Sequence, residues 1–158
     1  ASVAPFATLD SRFDAWLALT GQVPAPSGPL ELPLLTGSMA PAIPAGATLM
    51  IAATSGAAVR GGDVAVFREG DRLVAHRVLL VLRAGPVDLV LEKGDANRRG
   101  RWRRGRTVCG RVTGFRTPDG TAGGDPHDAV AASNGLRRHL RHLWRRPPPP
   151  DTLPEDTL

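Results

Sequence analysis

The sequence predicts a mostly β domain, a folded-over sheet or partial barrel, and three observations carry that prediction. Short runs rich in Val, Leu, Ile and Ala alternate with turn residues from Ala47 onward. Gly (18) and Pro (15) are abundant, which favours many turns over long helices. Hydrophobic residues form 42% of the 158 positions but aromatic residues only 4%, so the core has to be aliphatic. A chain of this length suits one domain with some peripheral sequence.

The elements follow in order. In residues 8–19, Leu9, Phe13, Trp16 and Leu17 recur at helical spacing, with Thr8 or Asp10 able to cap the start and Gly21 the end; this predicts a short amphipathic helix. Residues 22–29 are rich in Pro, Gly and Ser and complete an N-terminal segment, 1–29, as a linker. A strand over 30–36 opens a β domain assigned to 30–117, and further strands are expected over 47–53, 63–68, 72–83, 87–93 and 107–117. Gly61-Gly62 and Glu69-Gly70-Asp71 supply turns, the latter suiting a hairpin. Residues 97–106 carry six arginines around Trp102 and read as a solvated loop. A linker and a basic helix occupy 118–146, the helix spanning 128–146 with Leu136, Leu140, Leu143 and Trp144 on one face and Gly135 as its weak point. Pro147 to Pro150 end it, and 147–158 is expected to be a disordered tail.

The net charge of +5 is concentrated in 98–106 and 137–146. These runs lack a recognised nucleic-acid motif, so specific nucleic-acid binding is not expected. The apolar strip of the basic helix is expected either to dock on a membrane surface or a protein partner, or to pack against the domain itself. Cys109, the single cysteine, lies in an apolar run and is expected to be a buried strand residue. No segment approaches the roughly 20 apolar residues that span a bilayer. Asp10 and Asp14 stand where a signal peptide would carry basic charge, so the chain as given reads as cytoplasmic or peripheral to a membrane. No metal or cofactor is implied: His139 and His142 lie three apart on the basic helix without Cys or carboxylate partners, which favours a solvated face.

Three segments carry chemistry. In Thr36-Gly37-Ser38-Met39-Ala40-Pro41, a serine follows a glycine at a strand end and a proline restricts the chain just beyond it. Such a turn exposes a hydroxyl and leaves backbone N–H groups free to face an oxyanion, although Gly-Ser alone is only a turn. In Gly62-Asp63-Val64-Ala65-Val66-Phe67 and, across a hairpin, Leu73-Val74-Ala75-His76-Arg77-Val78, a histidine sits among aliphatic residues on a strand that would hold its ring rigidly. In Lys93-Gly94-Asp95-Ala96-Asn97, a strand end places a carboxylate where it could orient an imidazole or fix a turn.

In order and spacing, these segments resemble the conserved boxes of the signal peptidase I superfamily: Ser-Met-x-Pro, Gly-Asp-x-Val-x-Phe, a basic dipeptide, then Gly-Asp with Asn nearby. The resemblance covers roughly 36–112, about half the chain, and several boxes together are far more specific than one. It implies a serine endopeptidase that cleaves an extended peptide or leader, with small residues beside the cleaved bond. His76-Arg77 stands where Ser/Lys members show Lys-Arg, so the chain resembles the histidine class found in archaeal, endoplasmic-reticulum and sporulation-type enzymes. The implied residues are Ser38 as nucleophile, His76 as general base and Asp95 as acidic partner. Thr36 and the Ser38 N–H are implied for the oxyanion, and Met39 and Pro41 for substrate binding. The histidine class often has a second aspartate soon after the Gly-Asp box, whereas here no acidic residue occurs between Asp95 and Asp119. Lys93 is the sole lysine and falls in the Lys-Gly-Asp box, so the base is expected to be His76, whose residue type is ordinarily half-titrated at about 6.5.

Two other readings stand beside this one. The first is an inactive peptide-binding or assembly module on the same fold. The second is a self-cleaving repressor, which would need a DNA-binding domain and an Ala-Gly or Cys-Gly bond before the serine; neither is found in 1–37.

Overall fold

The computed structural model describes residues 29–70 and 72–144. The helix expected over 8–19 and the tail expected over 147–158 lie outside the described residues. The strands are β1 (Leu30–Pro33), β2 (Thr48–Ala53), β3 (Val64–Glu69), β4 (Arg72–Ala84), β5 (Val87–Lys93), β6 (Arg101–Arg104), β7 (Val108–Arg116) and β8 (Ala122–Gly123), followed by helix α1 (Ala129–Trp144). They form one antiparallel sheet in the order β1-β2-β7-β3-β4-β5-β6, with β8 added to β7. The sheet curls into a half-barrel, so the predicted mostly β class is what the chain adopts. No described helix is long and apolar enough to cross a membrane.

Curling gives the sheet two buried faces, and β3 feels both. Val64 and Val66 join Met39, Ile43, Ile51 and Val112 in one apolar cluster, while Ala65 and Phe67 join Val59, Val78, Val90 and Val108 in another. Successive strand residues point to opposite faces, so a strand covered on both sides reads as an unbroken apolar run. Cys109 belongs to the first cluster and its thiol donates to the Val66 carbonyl at 3.3 Å. Burial pushes that thiol up to about 11, which removes it as a nucleophile near neutrality.

The β4–β5 hairpin contains the feature that sets the site. From its turn, Ala84 pairs with Val87, Arg83 with Asp88 and so on to Leu80 with Leu91; then the register slips, and Val78 pairs with Glu92 and Arg77 with Lys93. Leu79 is the extra residue of a β-bulge. Without it Glu92 would face Leu79, and Lys93 would share the face of Val78 and His76. With it the two exchange faces: Glu92 joins His76, and Lys93 joins Arg77.

The arginine-rich stretch expected to be a solvated loop instead forms strand β6 on β5. The reason is the acidic groups it meets. Arg103 stacks over the Phe67 ring, 5.5 Å from its centroid, and pairs with Glu92 and Glu69; Arg101 also pairs with Glu69.

Helix α1 occupies the expected place but buries a stripe that shares only the half-buried Leu136 with the expected one. Ala132, Gly135 and His139 face inward, packing toward Leu79 and Leu91, whereas Leu140, Leu143 and Trp144 are exposed among the described residues. Gly135 is therefore a contact residue rather than a weak point: a Cβ there would come within 2.8 Å of Leu79 and 3.1 Å of Lys93. His139 is also not on a solvated face. Its Nδ1 accepts the Gly100 N–H at 3.0 Å and ties the helix to the residues before β6.

Arg77 binds these layers together. It is 1% exposed, donates from Nε and Nη2 to both oxygens of Asp95 at 2.8 and 2.7 Å, and from Nη1 to the carbonyls of Gly62 and Pro126. Removing one partner of a buried pair strands the other. Arg77→Met is expected to cost about 3–5 kcal/mol of stability, measured by denaturant unfolding. A loss below about 1 kcal/mol would show that the pair does not anchor the fold.

Candidate functional site

Ser38 sits on the turn between β1 and β2, held by backbone bonds from Ala40 N to Gly37 O and from Ile43 N to Met39 O. Two forces fix this turn. Met39 is fully buried in the first apolar cluster, and the Ser38 carbonyl accepts the Ala96 N–H at 2.9 Å, in the turn directly after β5. The expectation that Met39 binds substrate is thus corrected: its side chain is an anchor in the core and has no surface to offer. Pro41 is exposed and, with Ala42, borders a cleft of about 680 Å³ shared with Asp95, Lys93 and Arg138.

The contact between the two turns is close. A Cβ on Gly94 would lie 2.7 Å from the Ser38 carbonyl oxygen and 2.7 Å from Asn97 Nδ2, so only glycine permits it. Gly94→Ala is expected to displace the Ser38 turn with the sheet intact, costing about 1–3 kcal/mol. Denaturant unfolding checks this, and unchanged stability would refute it.

The Ser38 hydroxyl lies 3.1 Å from the Thr36 hydroxyl and shares a hydrogen bond with it; no hydrogen bond joins it to His76 in this structure. Among the described residues none accepts a hydrogen bond from the Ser38 N–H. Of the two groups expected at an oxyanion, the Thr36 hydroxyl is engaged by the Ser38 hydroxyl and the Ser38 N–H by no described residue.

His76 stands on β4, paired with Ala65 of β3, and its side chain is 14% exposed. Its Nδ1 lies 2.6 Å from Glu92 Oε2. The other Glu92 oxygen accepts from Arg103 Nε at 2.8 Å. Burial pushes the Glu92 carboxyl up, but the hydrogen bonds and charges of His76 and Arg103 outweigh it and hold the group below the usual carboxylate range. An ionised carboxylate only accepts, so Nδ1 carries a proton, and the ring in its neutral form has its lone pair at Nε2.

Asp95, expected beside His76, is placed elsewhere. Both of its oxygens are taken by Arg77, which points to the face of the sheet opposite His76. The carboxylate on the imidazole is Glu92, which counting back from the hairpin assigns to the wrong face because the count does not contain the bulge.

Lys93 is buried and donates to three carbonyls: Gly94 at 3.0 Å, Asp95 at 3.4 Å and Asn97 at 2.8 Å. Burial depresses its ammonium; Asp95 opposes this, and Arg138 and Arg77 add to it. Three carbonyl acceptors call for three N–H bonds, the complement of an ammonium rather than of a free base. Lys93 thus holds the turn on which Ser38 rests.

A second imidazole–carboxylate contact joins His127 Nδ1 to Asp63 Oδ1 at 2.8 Å. Asp63 also accepts the Arg60 N–H and lies 3.8 Å from Arg111, which makes it the hub of the β3 entry.

No protein-family model matches this chain, and no curated protein matches it.

Proposed function

We propose that the chain is a serine endopeptidase of the signal peptidase I type, with Ser38 as nucleophile and neutral His76 as general base. The observation that carries this reading is the Glu92–His76 bond, which leaves Nε2 as a proton acceptor on a rigid strand. The resemblance of the Ser38, His76 and Gly94-Asp95 segments to that superfamily's boxes supports it. So does the Ser38 N–H, which no described residue engages.

The reaction is peptide hydrolysis through an acyl-enzyme. His76 Nε2 takes the Ser38 proton as Oγ attacks the scissile carbonyl; the imidazolium then protonates the leaving amine, and water repeats the sequence. The oxyanion is held by the Ser38 N–H and the Thr36 hydroxyl, a kind of contact worth about 3–4 kcal/mol per donor in other enzymes. The attack requires the Ser38–Thr36 bond to open and the hydroxyl to reach His76 Nε2 in the substrate complex, a contact this structure does not contain.

A peptide-binding or assembly module on the same fold is the second reading, favoured by the Ser38 hydroxyl bonding to Thr36 instead of His76. One experiment separates them. The purified protein is incubated with peptides carrying small residues at the cleaved bond and with a serine-reactive acylating probe. Cleavage and labelling at Ser38 support the peptidase; binding without either supports the module.

A further inference from the structure

We infer that Glu92 is the positioning residue of the His76 base, selecting its tautomer and ring orientation; this rests on the peptidase reading of Ser38 and His76. Four observations converge on it. The contact is 2.6 Å, the short range of a charge-assisted bond. The Glu92 side chain is 3% exposed, so water does not compete for it. Its second oxygen is occupied by Arg103, which stacks on Phe67 and is itself tied to Glu69, so the carboxylate cannot rotate away from the ring. The bulge at Leu79 brings Glu92 onto His76's face at all.

The chemistry follows from proton count. Free neutral imidazole divides its proton between the two nitrogens, and only the form protonated at Nδ1 offers Nε2 as a base. An ionised Glu92 admits that form alone, and it stabilises the imidazolium that appears when Nε2 takes the serine proton. No proton passes to Glu92: it remains a carboxylate throughout. The alternative is that Glu92 serves only to neutralise Arg103 and hold β6, with His76 an incidental neighbour.

The test uses nitrogen-15 NMR of the histidine rings at a pH where His76 is neutral, together with steady-state cleavage of a fluorogenic peptide with alanines flanking the scissile bond. His76→Gln assigns the His76 signals. The expected wild-type result is a protonated Nδ1 and a bare Nε2. In Glu92→Gln the carboxylate is lost, the tautomers mix, and kcat falls by at least about 10²-fold with KM little changed. Glu92→Asp restores part of the rate and serves as the second variant where Glu92→Gln folds poorly. Arg103→Met, which frees the second Glu92 oxygen, separates the two roles: positioning predicts that it lowers stability as Glu92→Gln does but costs kcat less, with His76 still mainly protonated at Nδ1. A purely structural Glu92 predicts that Arg103→Met and Glu92→Gln lose rate and stability alike, which would overturn the inference. A bare Nδ1 in the wild type, or an unchanged kcat in Glu92→Gln, would also overturn it. The NMR arm needs no activity, so the expected tautomer in a wild type that cleaves nothing would locate the failure in the peptidase reading, and the positioning role would fall with it.

Discussion

Ser38→Ala is expected to leave the fold intact and to remove peptide hydrolysis and acylation by a serine-reactive probe, a loss of about 10³-fold or more in turnover. The fold should survive because the Ser38 side chain contributes little to what holds its turn. The turn is fixed by the buried Met39, by the Ala96 N–H on the Ser38 carbonyl, and by the close approach of Gly94. All three involve neighbouring residues or main-chain atoms that alanine keeps. What the variant loses is the hydroxyl and its bond to Thr36, an exposed contact of small energetic weight. Denaturant unfolding should therefore fall within about 1 kcal/mol of the wild type. Turnover by purified Ser38→Ala comparable with the wild type would end the serine mechanism, whatever the stability result.

Much of this architecture is legible in the sequence, because the strands that form the core are bounded by turn residues and carry apolar runs of strand length. Val87–Lys93 is placed to the residue, and β2, β3, β4 and β7 lie within a residue or two of where the pattern puts them. The parts that escape the sequence depend on partners distant in the chain. The arginines of β6 look solvated until Glu69 and Glu92 are placed opposite them. His139 looks like one more polar group on a basic helix until the Gly100 N–H arrives at its ring. The inward stripe of α1 is built from Ala132 and Gly135, whose small size matters only because Leu79 and Lys93 lie beneath them. Glu92 is the instructive case. Its residue type and position are plain, but its face depends on one extra residue in the neighbouring strand, and no periodicity argument over β5 contains that information.

On the proposed mechanism His76 and not Lys93 is the base, the bulge having put the two on opposite faces, and variants at the two positions are expected to part sharply. His76→Ala is expected to abolish turnover, because it removes the proposed base, an imidazole that Glu92 holds with Nε2 free; a loss of about 10⁴-fold or more follows from the roles of such bases elsewhere. Since His76 is a partly exposed strand residue, its loss should destabilise mainly by leaving Glu92 to Arg103 alone. Lys93→Met behaves in the opposite way. It keeps the aliphatic stem under α1 but leaves the carbonyls of Gly94, Asp95 and Asn97 without their donor, so about 1–3 kcal/mol of stability is lost while a substantial fraction of kcat survives well below the melting temperature. The pH profile adds an independent sign. A base must be neutral to accept the serine proton, so kcat/KM rises with pH through one ionisation, and that ionisation disappears from the residual activity of His76→Ala but remains in Lys93→Met. The depressed Lys93 ammonium argues by itself for a lysine base, but geometry outweighs it: each of its N–H bonds is already spent on a carbonyl of the turn that carries Ser38. Retained turnover in His76→Ala together with a folded, inactive Lys93→Met would reverse the assignment and make the Gly94–Asn97 turn, instead of the β4 strand, the seat of the base.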